Sequence, residues 1–160
     1  MARREVLVRV VRRLTLEEVR GKIKNFEMRY NMTFDEFEGL FLEKTDRRLV
    51  DTYFEWAGLI DAYHGYMEDG NLDYVLEEIR ELSPAEMTLL TPKRLELLYG
   101  LASLQTRSIN ELARKTRRNV KNVYQDLQVL KTLGFVTFRK MGKRNILPET
   151  LLEEITFLIR

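Results

Sequence analysis

The run RRNVKNVYQDLQVLKTLGF, residues 117–135, holds the side chains of this sequence best suited to specific recognition chemistry. Asn119, Lys121, Asn122, Tyr124, Gln125 and Gln128 offer amide, ammonium and phenol groups, and Asp126 is the one acid among them. An amide donates and accepts at once, which matches the edge of adenine, while lysine reaches guanine acceptors or a phosphate. Arg139, Lys140, Lys143 and Arg144 follow within six residues, a charge density suited to phosphate oxygens. Val120, Val123, Leu127 and Leu130 recur at steps of three and four. That period predicts a helix with one apolar stripe to dock and a polar face to present.

Other chemistries lack their parts. His64 is the only histidine and there is no cysteine, which removes two-histidine metal sites, thiolate sites and disulfides. The carboxylate pairs Glu17–Glu18, Glu77–Glu78 and Glu153–Glu154 are adjacent, so on a helix they diverge and do not converge on a substrate. The eight glycines are scattered and form no phosphate-cradling loop. The expectation is a protein without catalytic activity, metal or cofactor. No apolar run approaches the roughly 20 residues of a membrane span. The start MARREVLVRVVRR sets five arginines around a short apolar alternation, unlike a secretory signal. A cytoplasmic location is expected.

The formal net charge of +2 conceals a segregation. Residues 1–25 hold eight Lys/Arg against three acids, 26–90 five against sixteen, and 91–150 thirteen against four. Blocks of +5, −11 and +9 along one chain imply two electrostatic tasks.

Stepping along the chain, EVLVRVVRR (residues 5–13) alternates apolar and charged residues and reads as a strand. Thr15 with Glu18, and Thr33 with Glu36, have the spacing of capping boxes that open two amphipathic helices. A third helix, over residues 49–69, carries Tyr53, Trp56, Leu59, Ile60, Tyr63 and Met67 on one face. GNLDYVLEEIRELS (residues 70–83) reads as a further amphipathic helix or connector, with Leu72, Val75, Leu76 and Ile79 inward. Two prolines in SPAEMTLLTPKR place a domain boundary there, giving domains 1–83 and 84–160.

After Thr91-Pro92 the order is specific. A helix with Leu95, Leu98, Tyr99 and Ala102 inward comes first. A short helix follows, opened by Ser108 and Glu111, with Ile109, Leu112 and Ala113 inward. The linker Arg117-Arg118-Asn119 then leads to the polar-faced helix and a stop at Gly134. Two β-prone arms, 135–139 and 145–147, flank a basic turn at Gly142. Three helices and a hairpin with a basic tip is the order of a winged helix-turn-helix, whose third helix enters the major groove. The fold class expected is mainly α with a small β component: a helical N-terminal region and a C-terminal winged helix-turn-helix. The DNA-facing set is then Ser108, Arg117, Arg118, Asn119, Lys121, Asn122, Tyr124, Gln125, Gln128, Arg139, Lys140, Lys143 and Arg144.

Through LTPKRLELL, INELARK and NVKNVYQDLQVLKTLG, residues 85–150 resemble the MarR-like winged-helix regulators of archaea and bacteria, some of them antitoxin-like. The resemblance implies that Asn119, Lys121, Asn122, Tyr124 and Gln125 contact DNA. Where that family often closes with a tyrosine-containing strand, this chain has LPETLLEEITFLIR. Residues 24–66, through YNMTFDEFEGLFLEK and FEWAGL, resemble short helical antitoxins. That resemblance implies a partner face of Phe34, Phe37, Phe41, Phe54, Trp56 and Leu59, with acids such as Asp35, Glu38 and Glu55 opposing a basic RNase-like toxin. The function expected is a DNA-binding regulator of transcription, the antitoxin of a toxin–antitoxin pair repressing its own operon. The alternative is a stand-alone transcription factor whose acidic half dimerises or senses a ligand. A homodimer on double-stranded DNA is expected, because one groove-reading helix covers few base pairs. EVLVRVVRR has three potential mates: EITFLIR, its own copy, or a partner strand.

Overall fold

The computed structural model describes residues 5–159. The protein is mainly helical with a smaller strand content. In order, the elements are β1 (Val6–Arg13), α1 (Leu16–Tyr30), α2 (Phe34–Lys44), a 3-10 turn (Arg47–Leu49), α3 (Val50–Asp69) and β2 (Val75–Leu82). They continue as α4 (Pro84–Met87), α5 (Pro92–Ser103), α6 (Ile109–Lys115), α7 (Val120–Thr132), β3 (Val136–Met141), β4 (Asn145–Thr150) and β5 (Leu152–Leu158). Among the described residues no helix is long and apolar enough to cross a membrane.

The chain forms two compact units: Arg13–Val75, and Met1–Arg12 together with Leu76–Arg160. The boundary expected at 83/84 therefore falls inside the second unit, because β1 pairs with β5 and draws the N-terminal strand across.

The Arg13–Val75 unit is three helices closed on an aromatic core. Thr15 and Glu18 form the expected reciprocal capping box, and Asn31 ends α1 in the left-handed region at φ 52°. Trp56 is fully buried, with Phe37, Phe26, Phe34 and Tyr30 at ring separations of 5.0, 5.2, 5.6 and 6.0 Å. Leu59 and Val19 are also fully buried. Large flat rings let some 60 residues exclude enough water to hold three helices together.

In the second unit a three-stranded sheet has the order β2-β1-β5. β1 and β5 are antiparallel, Val8 opposite Phe157 and Val10 opposite Ile155, with a bulge after Val11. Of the three mates open to EVLVRVVRR, its own C-terminal segment is the one that pairs. Val8 and Val10 are fully buried against Leu97, Leu112, Val123, Leu127, Leu130 and Phe135.

Residues 75–82, expected as a helix or connector, are strand β2. Val75 and Ile79 are exposed at 45% and 57%, while Leu82 is buried. The inward face is Leu76, Glu78, Arg80 and Leu82, and its polar middle hides the strand period. Those polar groups are satisfied locally. Glu78 Oε1 takes Arg12 Nε at 3.1 Å and lies 2.6 Å from Arg80 Nη2. Arg80 also donates to the Leu133 carbonyl at 2.5 Å and lies 5.4 Å over the Phe135 ring. Burial pushes the Glu78 carboxyl up, but hydrogen bonds from Arg12 and Arg80 outweigh it and hold it below its usual range.

A candidate nucleic-acid interface

α5 opens as expected, with Thr91 accepting from the Arg94 N–H and Pro92 at its start. Its buried stripe is shifted by one residue from the expected one. Leu97 and Leu98 are buried, whereas Tyr99 is 76% exposed and Ala102 is exposed. A leucine at each of three nearby positions made either register compatible with the period.

α6 begins where Ser108 accepts from the Glu111 N–H at 3.1 Å. The Glu111 carboxylate turns to the Arg107 N–H at 2.9 Å and does not close the expected box. The helix ends in a Schellman turn. Arg117, at φ 54°, donates to Arg114 O at 3.1 Å, and Arg118 donates to Ala113 O at 2.9 Å. Glycine is the usual residue at such a position. An arginine there carries a Cβ strain of roughly 1–2 kcal/mol. Asn119 then caps α7, its amide oxygen accepting from Lys121 N at 2.8 Å and Asn122 N at 3.4 Å.

α7 is about 20 Å long. It buries Val123, Leu127 and Leu130 completely, but Val120, in its first turn, is 43% exposed. Lys121, Gln125, Gln128 and Thr132, at steps of four, three and four, lie on the opposite face. Lys121, Asn122 and Gln125 are exposed and Gln128 is half-buried. Asp126 is taken out of this face. Arg94 Nε meets it at 3.0 Å and Arg118 Nη2 at 2.5 Å, and the three side chains are only 15–20% exposed. Both arginines neutralise the single acid of α7 and tie the helix to α5 and to the preceding turn. Arg118, expected in the DNA-facing set, has its Nη2 engaged by Asp126 and holds α7 to the preceding turn. Ser108 and Asn119 also have their side chains occupied as caps.

β3 and β4 form a hairpin in which Arg139 faces Leu147 and Gly142 turns at φ 73°. It leans on α7. Tyr124 and Phe138 stack with centroids 6.4 Å apart, and Lys131 Nζ lies 5.2 Å over the Phe138 ring. Tyr124 therefore joins α7 to the hairpin while remaining 45% exposed. Arg139 pairs with Glu149 at 3.1 Å. Lys140, Lys143 and Arg144 are exposed, with no ion pair among the described residues. The two contacts of Phe138, with Tyr124 and Lys131, join the hairpin to α7 within one unit. Two exposed arginines went unassigned from sequence, Arg107 before α6 and Arg114 in its last turn. Their signal was the bias of the basic block; the turn that ends α6 then sets Arg114 next to Arg117, whose N–H donates to its carbonyl at 3.1 Å.

The expected partner residues of the Arg13–Val75 unit divide. Phe37, Trp56 and Leu59 are buried at 3%, 0% and 0% and form the core, so they cannot meet a partner. Phe34 and Phe41 are half-buried and Phe54 is 67% exposed. Tyr53, not assigned before, joins them through ring separations of 5.8, 4.5 and 5.4 Å. Its hydroxyl donates to Glu38 at 2.8 Å, which raises the phenol's pKa. Among the described residues no cluster of three or more His, Asp or Glu is arranged to hold a metal ion.

The family model HVO_A0114 matches residues 89–155, the stretch from the entry to α5 to the middle of β5. No curated protein and no solved structure matches the chain.

Proposed function

We propose that the chain is a sequence-specific DNA-binding regulator of transcription whose second unit works as a winged helix-turn-helix. The observation that carries this is the acid-free outer row of α7, with Lys121 and Gln125 exposed and Asp126 sequestered, beside a hairpin tip bearing Lys140, Lys143 and Arg144. α7 would enter the major groove by its first two turns and read base edges with Lys121, Asn122 and Gln125. The hairpin tip, with Arg114 and Arg117, would neutralise phosphates.

A shift assay on a selected site tests this with two double variants. Lys121→Ala/Gln125→Ala is expected to change site preference by about 1–3 kcal/mol per lost base contact. Lys143→Ala/Arg144→Ala is expected to weaken all sequences alike and flatten the salt slope by about two ion equivalents. Unchanged binding in both variants rejects this face.

The antitoxin version rests on a separate observation, the ring cluster of Phe34, Phe41, Tyr53 and Phe54, in which Phe54 is 67% exposed and the others half-buried, on helices that also carry Asp35, Asp51 and Glu55. Aromatic residues at this density are typical of interface centres, and the acids around them suit a basic partner. Co-expression with an adjoining small basic reading frame tests it. Co-purification lost on Phe54→Asp supports the pairing, and a frame that is harmless when expressed alone refutes it.

A further inference from the structure

We propose that the free edge of β5 pairs antiparallel with β5 of a second copy of this chain, about a two-fold axis through Thr156. In the sheet order β2-β1-β5 both outer strands have an edge that no other strand of the described residues pairs with. They are not equally defended. β2 carries Glu77, Glu78, Arg80 and Glu81 within eight residues, the charge pattern that blocks edge pairing. From Ile155 to its end at Leu158 β5 carries no charge, and Ile159 after it is uncharged too.

The side chains agree. Phe157 and Ile155 share the face of Val8 and Val10, which are fully buried. Along that face cover is lost stepwise: Ile155 is half-buried, Phe157 is 40% exposed and Ile159 is 91% exposed. Beside them, a groove between α5 and β5 is walled by Leu95, Leu98, Tyr99, Leu152 and Ile155, with Tyr99 76% exposed.

Charge selects a second copy, and its direction. Glu153 and Glu154 stand at the start of β5 and the uncharged half at its end. Antiparallel self-pairing sets each acidic end against the other copy's uncharged end, whereas parallel pairing would stack acid on acid. Residues on one face pair only when their numbers sum to an even value. Centring the axis on Thr156 sets Ile155 against the second copy's Phe157, so the two apolar faces become continuous. Such an isologous contact closes on itself as a dimer. That the dimer sets two α7 helices for a two-fold site rests on the DNA-binding reading; the strand pairing does not.

The sequence has no cysteine, so Thr156→Cys introduces a single thiol. Antiparallel partners have Cα atoms about 4.5–5.5 Å apart, within disulfide range. Light scattering on the full chain should give the mass of two copies. Oxidised Thr156→Cys should run as a covalent dimer, while Ile79→Cys on β2 should not. Thr156→Lys sets two ammonium groups face to face and should raise the dimer dissociation constant about ten-fold or more, with ellipticity unchanged and Thr156→Val without effect. A monomer at about 100 μM, equal cross-linking at residue 79, or a dimer indifferent to lysine at 156 overturns the proposal. A dimer that binds no DNA upholds the interface and rejects only the DNA reading.

Discussion

Arg117 holds a left-handed backbone that glycine would adopt without strain, and its side chain is exposed between α6 and α7. Strained positions that persist at a candidate site point to a use for the side chain. Arg117→Gly is therefore expected to stabilise the fold by about 1 kcal/mol, seen as a rise in Tm, while weakening DNA binding. A variant that gains stability and keeps full affinity would remove Arg117 from the interface. Asp126 is the opposite case, a residue that touches no ligand in this scheme yet governs the face. Asp126→Ala leaves Arg94 and Arg118 as uncompensated, largely buried cations and is expected to cost roughly 3 kcal/mol in chemical denaturation. That Asp126 turns toward arginine follows from its place on the helical wheel. Which arginines meet it does not, because Arg94 lies 32 residues away.

Among the elements, β2 has the widest gap between pattern and outcome. The apolar residues at 72, 75, 76 and 79, just before and within it, satisfy a helical period, yet β2 is a strand whose inward face carries Glu78 and Arg80. A period analysis assumes that inward means apolar; here Arg12 and Arg80 make a half-buried, inward carboxylate tolerable. The same cluster grips the Leu133 carbonyl at the α7–β3 junction, where Gly134 has φ 80° and Arg80 lies 3.4 Å from the place of an added Cβ. Gly134→Ala should destabilise by about 1–2 kcal/mol in thermal melts. Because the Glu78 carboxyl is held below its usual value of 4.5 in the folded chain, its contribution is fully present above that value. It is lost as the pH falls through the folded pKa. Glu78→Gln should flatten the acid limb of a stability–pH curve; an unchanged limb would mean the cluster does not couple to folding. Helix starts were better behaved. Thr15, Thr33, Thr91 and Ser108 all cap where their spacing says, since a cap uses only neighbours within three residues, whereas Asn119, expected to face DNA, caps α7 instead.

For the whole molecule, the two units build separate cores, and the only tryptophan is buried in one of them. Trp56 emission thus reads the Arg13–Val75 unit, while far-UV ellipticity reads both. Leu127→Ala, at a fully buried position of the other unit, should cost about 2–5 kcal/mol. It should advance part of the ellipticity transition and leave the Trp56 transition in place; coincident shifts would show one cooperative body. Charge is divided along similar lines, so under the proposed function DNA affinity should fall steeply with salt through the basic unit. What the chain's order of residues determined unaided was local: caps, turn glycines, the α7 period, the hairpin and the opposed charge blocks, all written within a few residues or in composition. Tertiary structure alone decided which rings of the acidic half are core and which are surface, how β1 crosses to join β5, and which edge lies bare. Those outcomes depend on contacts between residues far apart in sequence, where no period or cap extends.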